Sequence, residues 1–332
     1  MKTKSPIFLF FIIFLFFSCN FNKRTDIDVS DVKIKDVKIK RYGKDLFEIN
    51  PDNIKNELKR LAKNYKYFLD ADLDDTLNII QIHEYITDPK LIEIYNKSIK
   101  KYPELNNLED ELTMAFKYYK YYFPDKNIPE VFTYISGLQY EYPVQYFDNI
   151  LIIALDLYLG KDYIPYRQIG LPAYKIKRME EEYIENDCMK EIAGVNFLQQ
   201  ESGRTFLDEI IKKGKVLYFL DAVISQTPDT VKIGFTSNQL QWCRDNEANI
   251  WKFLINNNIL FSADYQVIKK FTLDGPFTAA FSKESPARIG NWLGWQIVHA
   301  YMNKNKDVTL NELMLETDAQ KILTKSKYKP KK

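Results

Sequence analysis

Imidazole is scarce in this chain: His83 and His299 are its two histidines. Any Ser-His-Asp triad would have to recruit one of them as base, and no Gly-x-Ser-x-Gly turn presents a serine. His83-Glu84 opens like the His-Glu-x-x-His helix of zinc peptidases, but Thr87 stands where the second imidazole belongs. One imidazole does not make that zinc site. A cysteine nucleophile would be Cys188 or Cys243, and nothing in the flanking sequence marks either as one. Asp148, Asp156 and Asp162 gather near the end of an apolar segment, where a paired-carboxylate site could sit; solvated loop acids are the simpler reading. No catalytic constellation emerges, and no cofactor or metal is expected.

The residue with the clearest chemistry is the third cysteine. Lys2 and Lys4 precede an apolar run from Ile7 to Phe17, then Ser18-Cys19, and polarity starts at Asn20. That is the signal-peptide pattern. The run is too short for a spanning helix, which needs about 20 apolar residues. A cysteine directly after a small residue at the end of the run marks an acylation site. Residues 1–18 therefore read as a lipoprotein signal peptide and Cys19 as the lipid attachment. Phe16 departs from the leucine usual three residues before the cysteine. Each buried CH₂ contributes about 0.8 kcal/mol, so two or three chains anchor firmly. By analogy with sorting in other Gram-negative bacteria, Asn20 points to the outer membrane, facing the periplasm.

Behind the anchor, residues 19–30 read as a tether and 31–332 as a single globular domain of about 300 residues. The formal net charge of +2 gives no reason to expect nucleic acid or an acidic polymer as partner. Hydrophobic content of 45% and charged content of 28% suit a globular body. In an oxidising envelope Cys188 and Cys243 could pair; two isolated buried thiols are preferred, since both lie in helical patterns.

The elements that must position any site are mainly helical. The expected fold is α+β, predominantly helical, with a small β-sheet from segments near 32–40, 130–136 and 149–157. The first alternates apolar residues with lysine; the last is apolar throughout. Apolar stripes at helical spacing predict helices over 53–69, 91–102 and 108–123, then over 176–193, 203–225, 237–257, 286–303 and 310–324. Thr236-x-x-Gln239 and Thr309-x-x-Glu312 are capping boxes. Ser285-Pro286 places a capping residue before a helix-initiating proline.

Residues 286–302 are the most unusual stretch. Trp292, Leu293, Trp295, Ile297, Val298 and Tyr301 cover most of the helix circumference, so the helix is buried or binds something. Gly290 and Gly294 lie one turn apart, and each costs roughly 1 kcal/mol in a helix interior, so close approach of another backbone is expected. A core helix is the favoured reading; in the other, Trp292 or Trp295 anchors a partner with Arg288 beside it. A cleft lined by Asp156, Glu247 and Arg288 would favour catalysis instead.

These residues carry a family resemblance. Tyr122-Phe-Pro124, Ile135-Ser-Gly137, Ala154-Leu-Asp-Leu-Tyr-Leu-Gly160, Leu171-Pro-Ala-Tyr174 and Arg178-Met179 are followed by Gly214-Lys-Val-Leu-Tyr-Phe-Leu-Asp221 and Gln239-Leu-Gln-Trp-Cys243. The end carries Glu284-Ser-Pro-Ala-Arg288, Trp292-Leu-Gly-Trp-Gln-Ile297 and Ser326-Lys-Tyr-Lys-Pro330. Together they resemble the GldB gliding-motility lipoproteins of the Bacteroidetes over essentially the whole mature chain; His299 departs from the arginine expected there. The resemblance implies a cell-envelope lipoprotein needed for gliding, a non-catalytic binding or assembly component beside the gliding and type IX secretion machinery. The alternative is a metal-independent hydrolase acting on an envelope polymer or peptide. The family also looks distantly like zincin-type peptidases. The helix matching their zinc helix, 178–193, has no histidine here, and Lys212-Lys213-Gly214 stands where an acid would be. A cation cannot donate a lone pair to zinc, which implies a zincin-like fold without the metal site.

Overall fold

The structure is a computed structural model that describes residues 25, 27–198 and 204–330. The signal peptide and Cys19 lie outside the described residues. A four-stranded sheet forms from β1 (Ile39–Lys40), β2 (Glu130–Tyr134), β3 (Val144–Phe147) and β4 (Ile150–Ala154), in the order β1-β2-β4-β3. The first three are parallel, and β3 runs antiparallel to β4 along the edge. β2 and β4 are apolar on both faces because both are covered. Val131, Leu151 and Ile153 enter a large core, while Phe132, Ile150 and Ile152 enter a smaller one with Leu58 and Tyr65.

Two strand expectations are corrected. The segment 32–40 alternates as expected, with Val37 and Ile39 buried between exposed charged residues, but ladder pairing is confined to Ile39–Lys40. Helix side chains replace a strand partner: Val37 N–H donates to Thr113 Oγ1 at 2.9 Å and Ile39 N–H to Glu109 Oε1 at 2.9 Å. Strand β3 was not expected. It is joined to β4 through Asp148-Asn149, whose φ angles of 46° and 63° make the left-handed two-residue turn that suits a hairpin.

Of the described residues 56% are helical, so the fold is α+β and predominantly helical. Among the described residues the helices of ten or more residues are α1 (Thr76–Thr87), α2 (Pro89–Lys101), α3 (Asn106–Tyr122), α4 (Ile184–Ala193), α5 (Phe206–Val223), α6 (Glu247–Asn256) and α7 (Ile289–Lys304). The capping boxes at Thr236 and Thr309 form, and Thr205 with Asp208 makes a third at the start of α5. Several expected helices are shorter or broken. The first ends at Leu61. The 176–193 pattern is helical at Ala173–Ile176 and resumes as α4. The 237–257 pattern breaks at Asn246, whose amide donates to Trp242 O at 2.9 Å. The 310–324 pattern breaks before Asp318, which caps a new helix by accepting from Lys321 N–H at 2.8 Å. Short polar side chains that bond the local backbone compete with helix continuation.

Helix α7 starts three residues later than Ser285-Pro286 suggests. Ser285 Oγ donates to Ser282 O and Thr278 O instead of capping, and Arg288 at φ 57° turns the chain into the helix. Here α5 and α7 cross backbone against backbone. A Cβ on Gly294 would fall 1.8 Å from Ile210 O, and one on Gly214 would fall 2.4 Å from Gly294 C. The glycines that weaken each helix are what let the two axes approach this closely.

Candidate functional site: a cationic cleft

A cleft of about 890 Å³ opens where β3, α4, α5 and the start of α7 converge. That is the size range of ligand-binding pockets. α4 contributes Asp187, Lys190 and Glu191, which share one helix face. α5 contributes Lys212, Lys213 and Val216, and Arg288 enters from its left-handed position before α7. Seven lysine or arginine side chains line the cleft against four carboxylates, so the wall carries an excess of positive charge.

The cations are arranged, not scattered. Arg178 and Arg288 both pair with Asp274, Arg288 Nε lying 2.8 Å from Oδ1. The Arg288 guanidinium also sits over the Phe235 ring, 5.5 Å from its centroid. Burial pushes Arg288 down to about 10 despite Asp274, so it stays charged at neutral pH. Burial pushes Lys190 down to about 8; Asp187, with an oxygen 4.0 Å from the amine, opposes the shift, and Arg288 and Arg178 add to it. Lys175 lies 4.8 Å over the Tyr140 ring. Deepest in the wall, the buried Lys232 ammonium bonds Asp221 Oδ1 at 3.0 Å. Asp221 Oδ2 also accepts from Trp295 Nε1 at 2.7 Å and from His299 Nε2 at 3.0 Å. Burial alone would raise the Asp221 carboxyl, but His299 and Lys232 outweigh it and hold it below the usual range.

The residues singled out in the sequence fall in separate places. Arg288 is in the cleft. Asp156 is fully buried elsewhere: its carboxylate accepts from Ser136 N–H, Ser136 Oγ and Leu138 N–H at 2.8–2.9 Å, fixing the turn after β2 where Gly137 and Leu138 have positive φ. Burial still holds its carboxyl above the ordinary value. Glu247 accepts from Tyr328 Oη at 2.6 Å and ties the C-terminal segment to α6. Asp148 and Asp162 are exposed, as loop acids would be. Trp292 and Trp295 are 2% and 3% exposed, which puts both rings in the core, and Arg288 stacks on Phe235 and not on Trp292. Cys188 and Cys243 are free buried thiols, as preferred over a disulfide. His83 and Glu84 are exposed on α1. Sequence reasoning missed Lys175, Lys190 and Asp274. It did flag Lys212 and Lys213, and those lysines and α4, the two segments matched to the zincin helices, do line one cleft.

Comparison with known proteins gives one match. A family model described as "Gliding motility protein GldB" covers residues 22–330, and the chain belongs to this family of gliding-motility proteins. No curated protein matches the chain, and no solved structure does. Among the described residues no helix is long and apolar enough to cross a membrane, which together with the lipoprotein label of the family fits a lipid-anchored envelope protein.

Proposed function

We propose that this member of the GldB family serves gliding as a non-catalytic binding component, anchored through Cys19 in the outer membrane and facing the periplasm, where it works with the gliding and type IX secretion machinery. The observation that carries the reading is the cationic cleft: converging, partly desolvated cations attract an anionic group far more strongly than the same charges spread over a surface. The engaged state of the buried acids supports it, since Asp156, Asp221 and Glu247 each hold parts of the fold together and none lines the cleft. A metal-independent hydrolase is the second reading, favoured by Lys190, because an amine pushed down to about 8 is partly neutral near physiological pH and able to take a proton.

Lys190 separates the two. Binding needs the charge, so Lys190→Arg keeps cell spreading near wild type while Lys190→Gln reduces it. Proton abstraction needs a neutral amine, so under the hydrolase reading Lys190→Arg stops spreading as fully as Lys190→Gln. Thermal melting of both purified variants shows that the fold is intact. A dead Lys190→Arg with normal melting decides against the binding reading.

A further inference from the structure

Asp274 shows which chemistry the cleft is shaped to hold. This chain's own carboxylate sits between two guanidiniums, Arg178 and Arg288. Two arginines on one carboxylate leave a charge over, and Lys190 stands beside them, set against Asp187 at 4.0 Å. Arg288 Nε is held 2.8 Å from Asp274 Oδ1, and its Nη2 reaches Gly234 O at 3.4 Å, so the guanidinium is fixed in place facing the cleft. Arg288 also sits in left-handed backbone, a strained conformation that persists where the surroundings enforce it. On the same wall Asn291, only 8% exposed, donates to Thr272 O, and among the described residues its Oδ1 has no donor.

Those two needs differ in sign. The arginines want an acceptor and Asn291 wants a donor. An ionised phosphate offers acceptors and little else, whereas a polypeptide with acidic side chains brings carboxylates together with backbone N–H groups. The strand edge points the same way. Pro143 O accepts from Ala154 N–H, and antiparallel bonding alternates, so Val144 turns its N–H and C=O away from β4. Val144 is itself in the cleft wall. Between the charged ends the wall is apolar, with Leu198, Val216 and Leu217.

We propose that the cleft binds an extended acidic segment of another polypeptide, with one carboxylate beside Arg178 and Arg288, a backbone N–H on Asn291 Oδ1, and further carboxylates toward Lys175 and Lys213. This rests on the binding reading above and names its ligand.

The test uses the full-length protein in detergent and a fluorescein-labelled dodecapeptide of alternating Glu and Val, followed by anisotropy. The peptide binds, its Lys-for-Glu counterpart does not, and added salt weakens the complex. Lys175→Glu with Lys213→Glu weakens binding at least tenfold at unchanged melting temperature. Asp274→Asn, which removes the competing carboxylate, tightens it. Absence of binding at millimolar peptide overturns the assignment, and so does displacement by inorganic phosphate or phosphatidylglycerol vesicles at equal charge. Spreading of cells with the double-lysine variant separates the two levels. Normal spreading with peptide binding lost leaves the ligand standing and removes the cleft's role in gliding. Arrested spreading in a protein that never bound the peptide keeps the role and removes the ligand.

Discussion

The two sides of α5 obey opposite rules. Toward α7, Gly214 meets Gly294 with no space for one methyl group. Toward the cleft, about 200° around the helix from Gly214, Lys212 lines open volume beside Val216. One side is dry backbone contact that admits a single packing; the other is solvated charge that tolerates change in shape but not in sign. Residues two positions apart thus differ wholly in what they can become. The glycine side decides whether the protein exists, and the lysine side what it holds.

The largest effect should come from the crossing. In Gly294→Ala the new methyl would overlap Ile210 O, a backbone atom fixed inside α5. Overpacking commonly costs about 1–3 kcal/mol where side chains can give way. Backbone cannot, so a loss beyond that range is expected, large against a total of about 5–15 kcal/mol. The protein should vanish from cells by immunoblot, while Lys213→Glu in the cleft lining leaves its level unchanged. A Gly294→Ala protein of normal melting temperature would break the contrast.

A smaller effect tests the seam between the two sides. Trp295 packs in the core yet donates to Asp221, which also holds the buried Lys232 of the cleft wall. Trp295→Phe keeps most of the ring and removes that donor. Bonds to charged groups contribute about 1.5–3 kcal/mol, and His299 and Lys232 remain to satisfy the carboxylate. A melting shift of several degrees is expected, with the chain still folded. Trp295→Phe that melts like wild type would mean that the Asp221 contacts are not coupled to the core.

The crossing was largely legible in the sequence and the cleft was not, for physical reasons. Gly290 and Gly294 within an all-apolar helix make sense only if another backbone comes close, so composition announced the contact. The capping boxes at Thr236 and Thr309 were equally local. Asn246 and Asp318 look like surface residues on continuous stripes, and only their bonds to neighbouring backbone reveal the breaks. Asp148-Asn149 carried a hairpin signal that the apolar run after it overshadowed. The cleft draws its charges from positions near 175–178, 190, 212–213, 274 and 288, each of which reads as an ordinary solvated side chain. Their convergence is a property of the packing and left no periodic trace. Arg288 was singled out for its place before α7, but its partner Asp274 had no mark of its own.

The smallest effect concerns a buried charge that belongs to neither side of α5. Glu185 lies on α4, about 200° around from Asp187, and accepts from Thr227 Oγ1 at 2.8 Å. Burial raises its carboxyl to about 7; Glu111 nearby adds to the rise, while Thr227 and Lys232 oppose it. An acid raised in the folded state binds more protons there than in the unfolded chain. Stability therefore falls as pH rises from about 4.5 to about 7 and stays lower above that. Glu185→Gln removes the charge and still accepts from Thr227. At pH 8 it should melt higher than wild type, by on the order of 1 kcal/mol once solvent at its partly exposed edge is allowed for. At pH 4, where both forms are neutral, the two should melt together. Because Glu185 is not part of the cleft wall, cell spreading should not change. A Glu185→Gln variant that gained stability equally at both pH values would show that repacking, and not the buried charge, accounts for the gain.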